Sequence, residues 1–266
     1  MEPELMPGLE ALMDAAWPAA EREDSGGWVL RAASGVTQRA NSVWPREPGS
    51  DAHGQLAALR EARLWYRNRR LPLIFQVFED PRYAPLNTVL DQEGFTRQSE
   101  TLVLVRDGGK DFPGADPGIE ISAEPSADWL RLWWSVDGRG DDTALAVARG
   151  ILERCPALYA LARADDGRSA AVGRLAVPPG AGDGAGGLSG GLYCMATRPD
   201  VRRRGFASRI VESLLREGDA RGVASYWLLV MASNTGAREL YTSAGFRTAG
   251  RYLYRQERPK RHLTGC

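Results

Sequence analysis

The 266-residue chain carries 34 basic and 34 acidic side chains, so it has no surplus positive charge with which to hold nucleic acid. Its 43% hydrophobic and 26% charged residues are ordinary for a globular protein, and either half is long enough to bury its own core. Cys155, Cys194 and Cys266 show no metal-ligand spacing and lie far in sequence from His53 and His262, so neither a metal site nor a Cys–His nucleophile is expected.

The first residues, MEPELMPGLEALMDAAWP, are acidic and lack a basic segment ahead of an apolar one. No apolar run is long enough to span a bilayer, and a cytoplasmic protein without membrane partners is expected. GWVLRAASGVTQRANSVWP (27–45) reads as a strand region, followed by an Ala/Leu/Arg-rich helical segment. LIFQVF (73–78) is a buried strand, a short helix ends at Gly94-Phe95, and TRQSETLVLVR is a closing strand. DGGKDFPGADPG (107–118) is rich in Gly, Pro and Asp and predicts a boundary between domains 1–112 and 119–266.

Beyond it, PSADWLRLWWSV and TALAVARGILERC have helical spacing. ALYALARAD, SAAVGRLAV and GLYCMAT read as successive antiparallel strands, with PPGAGDGAGGLSGG (178–191) as a long hairpin loop, solvated or serving as a lid. RRRGFASRIVESLLREGDARG (202–222) is an amphipathic helix with Gly222 as its stop. ASYWLLVMA has the continuous apolarity of a doubly covered strand, and NTGARELYTSAG is the last helix. The fold class is α/β, an α+β arrangement around a mixed sheet. The basic tail RPKRH (258–262) reads as solvated.

Sliding the two halves by 151 positions puts Gly94-Phe95 on Gly245-Phe246 and LIFQVF within the ASYWLLVMA strand. The order helix, strand, short helix, closing strand recurs, which implies duplication of one unit. Gly94 and Gly245 suit the left-handed position just past a helix.

RPDVRRRGFASRIVESLL (198–215) raises the functional question. A tight turn and a glycine entry into a helix form an anion site, because the first-turn amides have no intrahelical acceptor and the macrodipole adds positive potential. Gly205 leaves the backbone open to close approach, Ala207 stays small, and Arg202, Arg203 and Arg204 add amides and charge.

Arg202-x-x-Gly205-x-Ala207 resembles the pyrophosphate signature of the GNAT acyltransferase superfamily, and NTGARELYTSAGF (234–246) resembles its second motif. The resemblance covers residues 119 to 256. It implies that acetyl-CoA is held by Met195, Ala196 and Thr197 of a splayed strand, by Arg202, Arg203, Arg204, Gly205, Phe206, Ala207 and Ser208, and by Asn234. A main-chain amide, at Met195 or Thr197, would polarise the thioester carbonyl. Tyr241 would give the leaving thiolate its proton, unless it is simply an aromatic on a buried helix face.

The sequence departs from that pattern at the base: SGGLYCMAT has no carboxylate, leaving Tyr193 through water, or Glu124 or Asp137 from the early helices. An α-amino acceptor, of pKa about 8, needs less help than a lysine-type amine at about 10.4. Cys194 reads as a small core residue.

In the N-terminal half, Asp51 falls where Arg202 stands and Leu90 where Tyr241 stands, so that half reads as a degenerate GNAT-like unit. Its 27–45 segment is similar to that of tandem, N-acetylglutamate synthase-like actinobacterial proteins. Arg39, Asn41 and Ser42 there are either pocket residues or ordinary turn and strand residues. The expected function is transfer of acetyl from acetyl-CoA to a small amine or amino acid by direct attack. The alternatives are a peptide or protein acetyltransferase and a non-catalytic acyl-CoA sensor.

Overall fold

A computed structural model of the chain describes residues 8–109, 114–179 and 187–258. Most of the glycine-rich loop, all of the basic tail beyond 258, part of the 107–118 stretch, and Cys266 therefore lie outside the described residues.

In chain order the elements are α1 (Leu9–Ala16), β1 (Glu21–Ser25), β2 (Trp28–Ala32), α2 (Ala52–Asn68), β3 (Ile74–Phe78), α3 (Ala84–Gln92) and β4 (Thr96–Asp107). There follow β5 (Ile119–Ser122), α4 (Ala127–Asp137), α5 (Asp142–Glu153), β6 (Ala157–Arg163), β7 (Ser169–Ala176) and β8 (Leu188–Thr197). The chain closes with α6 (Phe206–Ala220), β9 (Val223–Met231), α7 (Thr235–Ser243) and β10 (Arg247–Gln256). No helix among the described residues is long and apolar enough to cross a membrane.

The chain forms two compact units that do not divide at 107–118: one holds the residues up to Pro18 with Leu102–Gly250, the other Ala19–Thr101 with the residues from Arg251 onward. The physical reason is the path of the closing strands. Within the first unit the sheet order is β4-β9-β8-β7-β6-β5, so β9 is flanked by a strand from the N-terminal part of the chain. Within the second, β10 lies beside β3, antiparallel, with Tyr252 opposite Phe78 and Gln256 opposite Ile74. Each unit thus borrows the last strand of the other half.

In the first unit β5, β6, β7 and β8 are antiparallel neighbours and β8 runs parallel to β9, giving the expected mixed sheet. α6 lays Ile210, Val211, Leu214 and Leu215 on one side of it, all fully buried with Leu175, Ala160 and Ala162. At about 1.5–3 kcal/mol for each buried aliphatic side chain, that stripe is the main reason the helix forms. Ser126 and Asp141 cap α4 and α5 by accepting from Trp129 N (3.1 Å) and Ala144 N (3.0 Å).

β8 begins at Leu188, inside the stretch expected to be loop. Gly191 lets it do so, since a Cβ there would sit 2.5 Å from the Tyr193 ring and 2.6 Å from the Trp227 ring. The two Gly-Phe stops have one geometry. Gly94 (φ 77°) and Gly245 (φ 87°) are left-handed, and the next amides return to Leu90 O (2.9 Å) and Tyr241 O (3.0 Å).

Candidate active site

Strand β8 is irregular at one point. Arg174 pairs with Tyr193 and Val172 with Ala196, so Gly173 alone faces both Cys194 and Met195. Cys194 takes φ 54°, a left-handed conformation costing a residue with a Cβ about 1–3 kcal/mol. Beside the bulge, the indole Nε1 of Trp129 donates to the Gly173 carbonyl at 3.2 Å. A Cβ on Gly173 would lie 2.6 Å from both Met195 Sδ and Ile210 Cγ2. On its other edge β8 pairs with β9 from Leu188 opposite Val223 to Leu192 opposite Leu228. Past Leu192 the ladder stops while both strands continue, and Met231 at the end of β9 is 51% exposed. This is the expected splay, carrying Met195, Ala196 and Thr197.

Thr197 leads into a short turn, Pro199–Val201, and then into the entry of α6. Arg203 (φ 64°) and Gly205 (φ 83°) are both left-handed. Gly205 precedes the helix with no side-chain cap, there is no acidic residue in the first turn, and open space surrounds the place of a Cβ. The first helical amide to bond is that of Arg209, to Gly205 O at 3.1 Å. The amides of Phe206, Ala207 and Ser208 come before it. Arg202 Nε donates to Thr197 O (3.3 Å), and Arg203 and Arg204 are exposed. Arg209 is turned aside by a forked ion pair with Asp116 (2.6 and 3.0 Å), which with the Gly118 amide holds that carboxyl down at about 2.

The start of α2, in the second unit, is closed by a side chain. Asp51 caps α2, its carboxylate accepting from His53 N (3.2 Å) and Gly54 N (2.7 Å), so the helix's own side chain fills its anion seat. Asn41 and Ser42 are also consumed locally. Asn41 accepts from Ala33 N and Gly35 N (both 2.8 Å) and donates to Val36 O and Thr37 O, while Ser42 accepts from the buried Arg31. They hold the loop together. Arg39 is half-buried, close enough to Tyr254 for its charge to act on that phenol.

Asn234 caps α7, its Oδ1 taken by Ala237 N at 3.1 Å, which leaves its amide NH2 as donor. Tyr241, on the buried side of α7, is 7% exposed and packs edge-on against Phe246. Burial pushes its phenol well above the ordinary value. Its hydroxyl has no partner among the described residues yet is not closed off from water. Of the suggested bases, Tyr193 is buried with its hydroxyl accepting from Trp227 Nε1 (3.1 Å). Glu124 is exposed with its charge toward Arg149, and Asp137 is exposed at the end of α4.

The wall behind Tyr193 escaped the sequence reading. Arg174 is fully buried, and its guanidinium donates to Ala16 O (3.1 Å), Leu152 O (3.1 Å), Cys155 O (3.2 Å) and Tyr159 Oη (3.3 Å). The first two carbonyls belong to the C-terminal turns of α1 and α5. Their negative dipole ends offset the buried charge, each by up to about 2 kcal/mol. Trp17, just past α1, stacks on Tyr193 with centroids 5.5 Å apart. A buried arginine in a strand announces no partner in sequence, so no pattern could have found it.

A mixed sheet with one split, bulged strand feeding an uncapped helix defines the class: the chain is an acyltransferase of the GNAT superfamily, whose enzymes use acetyl-CoA as cosubstrate. It belongs to the family described as probable histone acetyltransferase Rv0428c C-terminal, whose sequence model matches residues 7–255. The uncharacterized N-acetyltransferase YobR of Bacillus subtilis is 27% identical over 94% of this chain and 98% of its own. The ribosomal protein bS18-alanine N-acetyltransferase of Salmonella typhimurium is 45% identical over 58 residues, 22% of this chain and 39% of that enzyme. Among solved structures, a GCN5-related N-acetyltransferase from Kribbella flavida shares the fold, with a TM-score of 0.67 at 18% identity over 96% of this chain and 95% of that one.

Proposed function

We propose that the enzyme transfers acetyl from acetyl-CoA to the α-amino group of a small molecule or amino acid, at the split between β8 and β9. The observation that carries this reading is the uncapped start of α6 at the foot of the split strand. The fit to a diphosphate is physical: successive amides face outward, no acidic residue repels the ligand, and Gly205 presents no Cβ. Arg202, Arg203 and Arg204 add charge, Asn234 offers its amide to the cofactor arm, and Met195, Ala196 and Thr197 expose main chain along the split. Acetyl-CoA supplies an activated acyl group.

The chain's residues orient that group and manage protons. The Met195 amide, beside the bulge, donates to the thioester oxygen. The neutral amine forms the C–N bond as the C–S bond breaks, and it loses its extra proton to water. Tyr241 Oη passes a proton to the departing sulfur and recovers one from solvent. Burial makes this phenol a weaker acid than free tyrosine, so the developing thiolate charge must draw the proton across. No base is needed for an amine already half neutral at pH about 8.

The N-terminal half is the second copy of a duplicated unit, in which Asp51 has taken the anion seat. A second reading, acetylation of a peptide N-terminus, is favoured by the relative that acts on an alanine of ribosomal protein bS18. Calorimetry with coenzyme A tests the site. Thiol release from acetyl-CoA across amino acids, small amines and alanine-led peptides then identifies the acceptor. A chain that binds no coenzyme A ends the proposal.

A further inference from the structure

Arg174 and Tyr193 are opposite each other, the last regular pair before Cys194 turns left-handed. β8 has a less strained option, regular pairing of Cys194 with Gly173, which would carry Met195 to the other face of the sheet. Something must hold the strained register. Tyr193 is held on its ring by Trp17 (5.5 Å, 27°) and at its hydroxyl by Trp227 Nε1 (3.1 Å). Trp17 is in turn fixed because Arg174 binds the preceding carbonyl, Ala16 O, while anchoring to the end of α5. No carboxylate pairs with Arg174 among the described residues, so charge neutralisation does not explain it. Its bonds join α1, α5 and β7 at one point.

We propose that Arg174 and Trp17 are positioning residues. Acting through Tyr193, they lock the bulge at Cys194 and thereby fix the direction of the Met195 amide. This rests on the reading that acetyl transfer takes place at the split.

The test compares the full-length wild type with Arg174→Met, Trp17→Leu and Trp17→Phe. The readouts are hydrogen exchange of residues 192–197, coenzyme A affinity, and kcat with the amine that the wild type acetylates fastest. In cooperatively folded Arg174→Met and Trp17→Leu, exchange at 192–197 should rise at least tenfold and kcat fall at least tenfold, with coenzyme A affinity changed less than threefold. Trp17→Phe, which keeps a stacking ring, should restore both. Should those two variants not fold, Tyr193→Phe, which keeps the ring and loses the bond to Trp227, should show the same pattern at about threefold. Wild-type exchange and kcat in the folded variants overturn the proposal, as does a parallel loss of coenzyme A affinity and kcat. A wild type that binds no coenzyme A defeats the proposed function instead, and the exchange comparison still decides whether the lock exists.

Discussion

Asp51 and Gly205 each stand immediately before a helix, and they leave its anion seat in opposite states. The Asp51 carboxylate takes the Gly54 and His53 amides, whereas Gly205 contributes no side chain and the first turn of α6 stays open. Gly205→Val should therefore lower coenzyme A affinity at least tenfold by calorimetry. Strain at φ 83° would by itself cost about 1–2 kcal/mol, so Gly222→Val, at the far end of the same helix with φ 83° and open space, is the control. Both should lose similar thermal stability. Only the first should lose affinity.

Tyr241→Phe should lower kcat by one to two orders of magnitude, about the lower range for a proton donor, with coenzyme A affinity unchanged. A wild-type rate would remove the phenol from the reaction. Because burial holds this phenol above its ordinary pKa, it stays protonated as the acceptor amine loses its proton. The rate should rise to a plateau above pH about 8 and show no falling limb before pH about 10.

Two glycines make a contrasting pair. Gly173→Ala puts a Cβ against Met195 Sδ and Ile210 Cγ2, and should destabilise by about 1–3 kcal/mol and impair turnover. Gly150→Ala, inside α5 with nothing near, should stabilise by about 0.5–1 kcal/mol and leave turnover alone. Chemical denaturation measures both.

Asp116 is held at about 2 chiefly by the Arg209 guanidinium, below the ordinary carboxylate value of 3.8. A depressed carboxyl contributes stability that is present above pH about 4 and is lost as pH falls toward 2. The pair is partly exposed, with side-chain accessibilities of 39% and 26%, so solvent screening limits it to about 0.2–1 kcal/mol. Asp116→Asn should cost that much at pH 7, with the gap to wild type closing by pH about 2 in acid unfolding curves.

Periodicity and turn chemistry made the elements themselves legible. The stripe of α6, the Gly-Phe stops and the antiparallel run β6, β7, β8 lie where the sequence puts them, because each is set by neighbours three to five residues away or by alternation. The exchange of β4 and β10 was invisible, since nothing local in either strand says which neighbour it takes. The open, glycine-led start of α6 was readable from the glycine and arginine spacing. The bulge was not, because φ 54° at Cys194 goes with the two-against-one pairing opposite Gly173 on the neighbouring strand rather than with its own residue type. The role of the polar residues at 41 and 42 stood between pocket and loop, and Asn41 resolves it by spending its amide on four backbone groups.

The borrowed strands make the halves interdependent. Severing the chain at 107–118 would strip β9 of its flank and leave β3 without its partner, so each fragment would expose a raw sheet edge that invites pairing with a second copy. A lineage that deleted the chain through β4 would strip β9 of its neighbour in the sheet carrying the split strand. Architecture alone is reason enough for the N-terminal half to be inherited, whatever it binds.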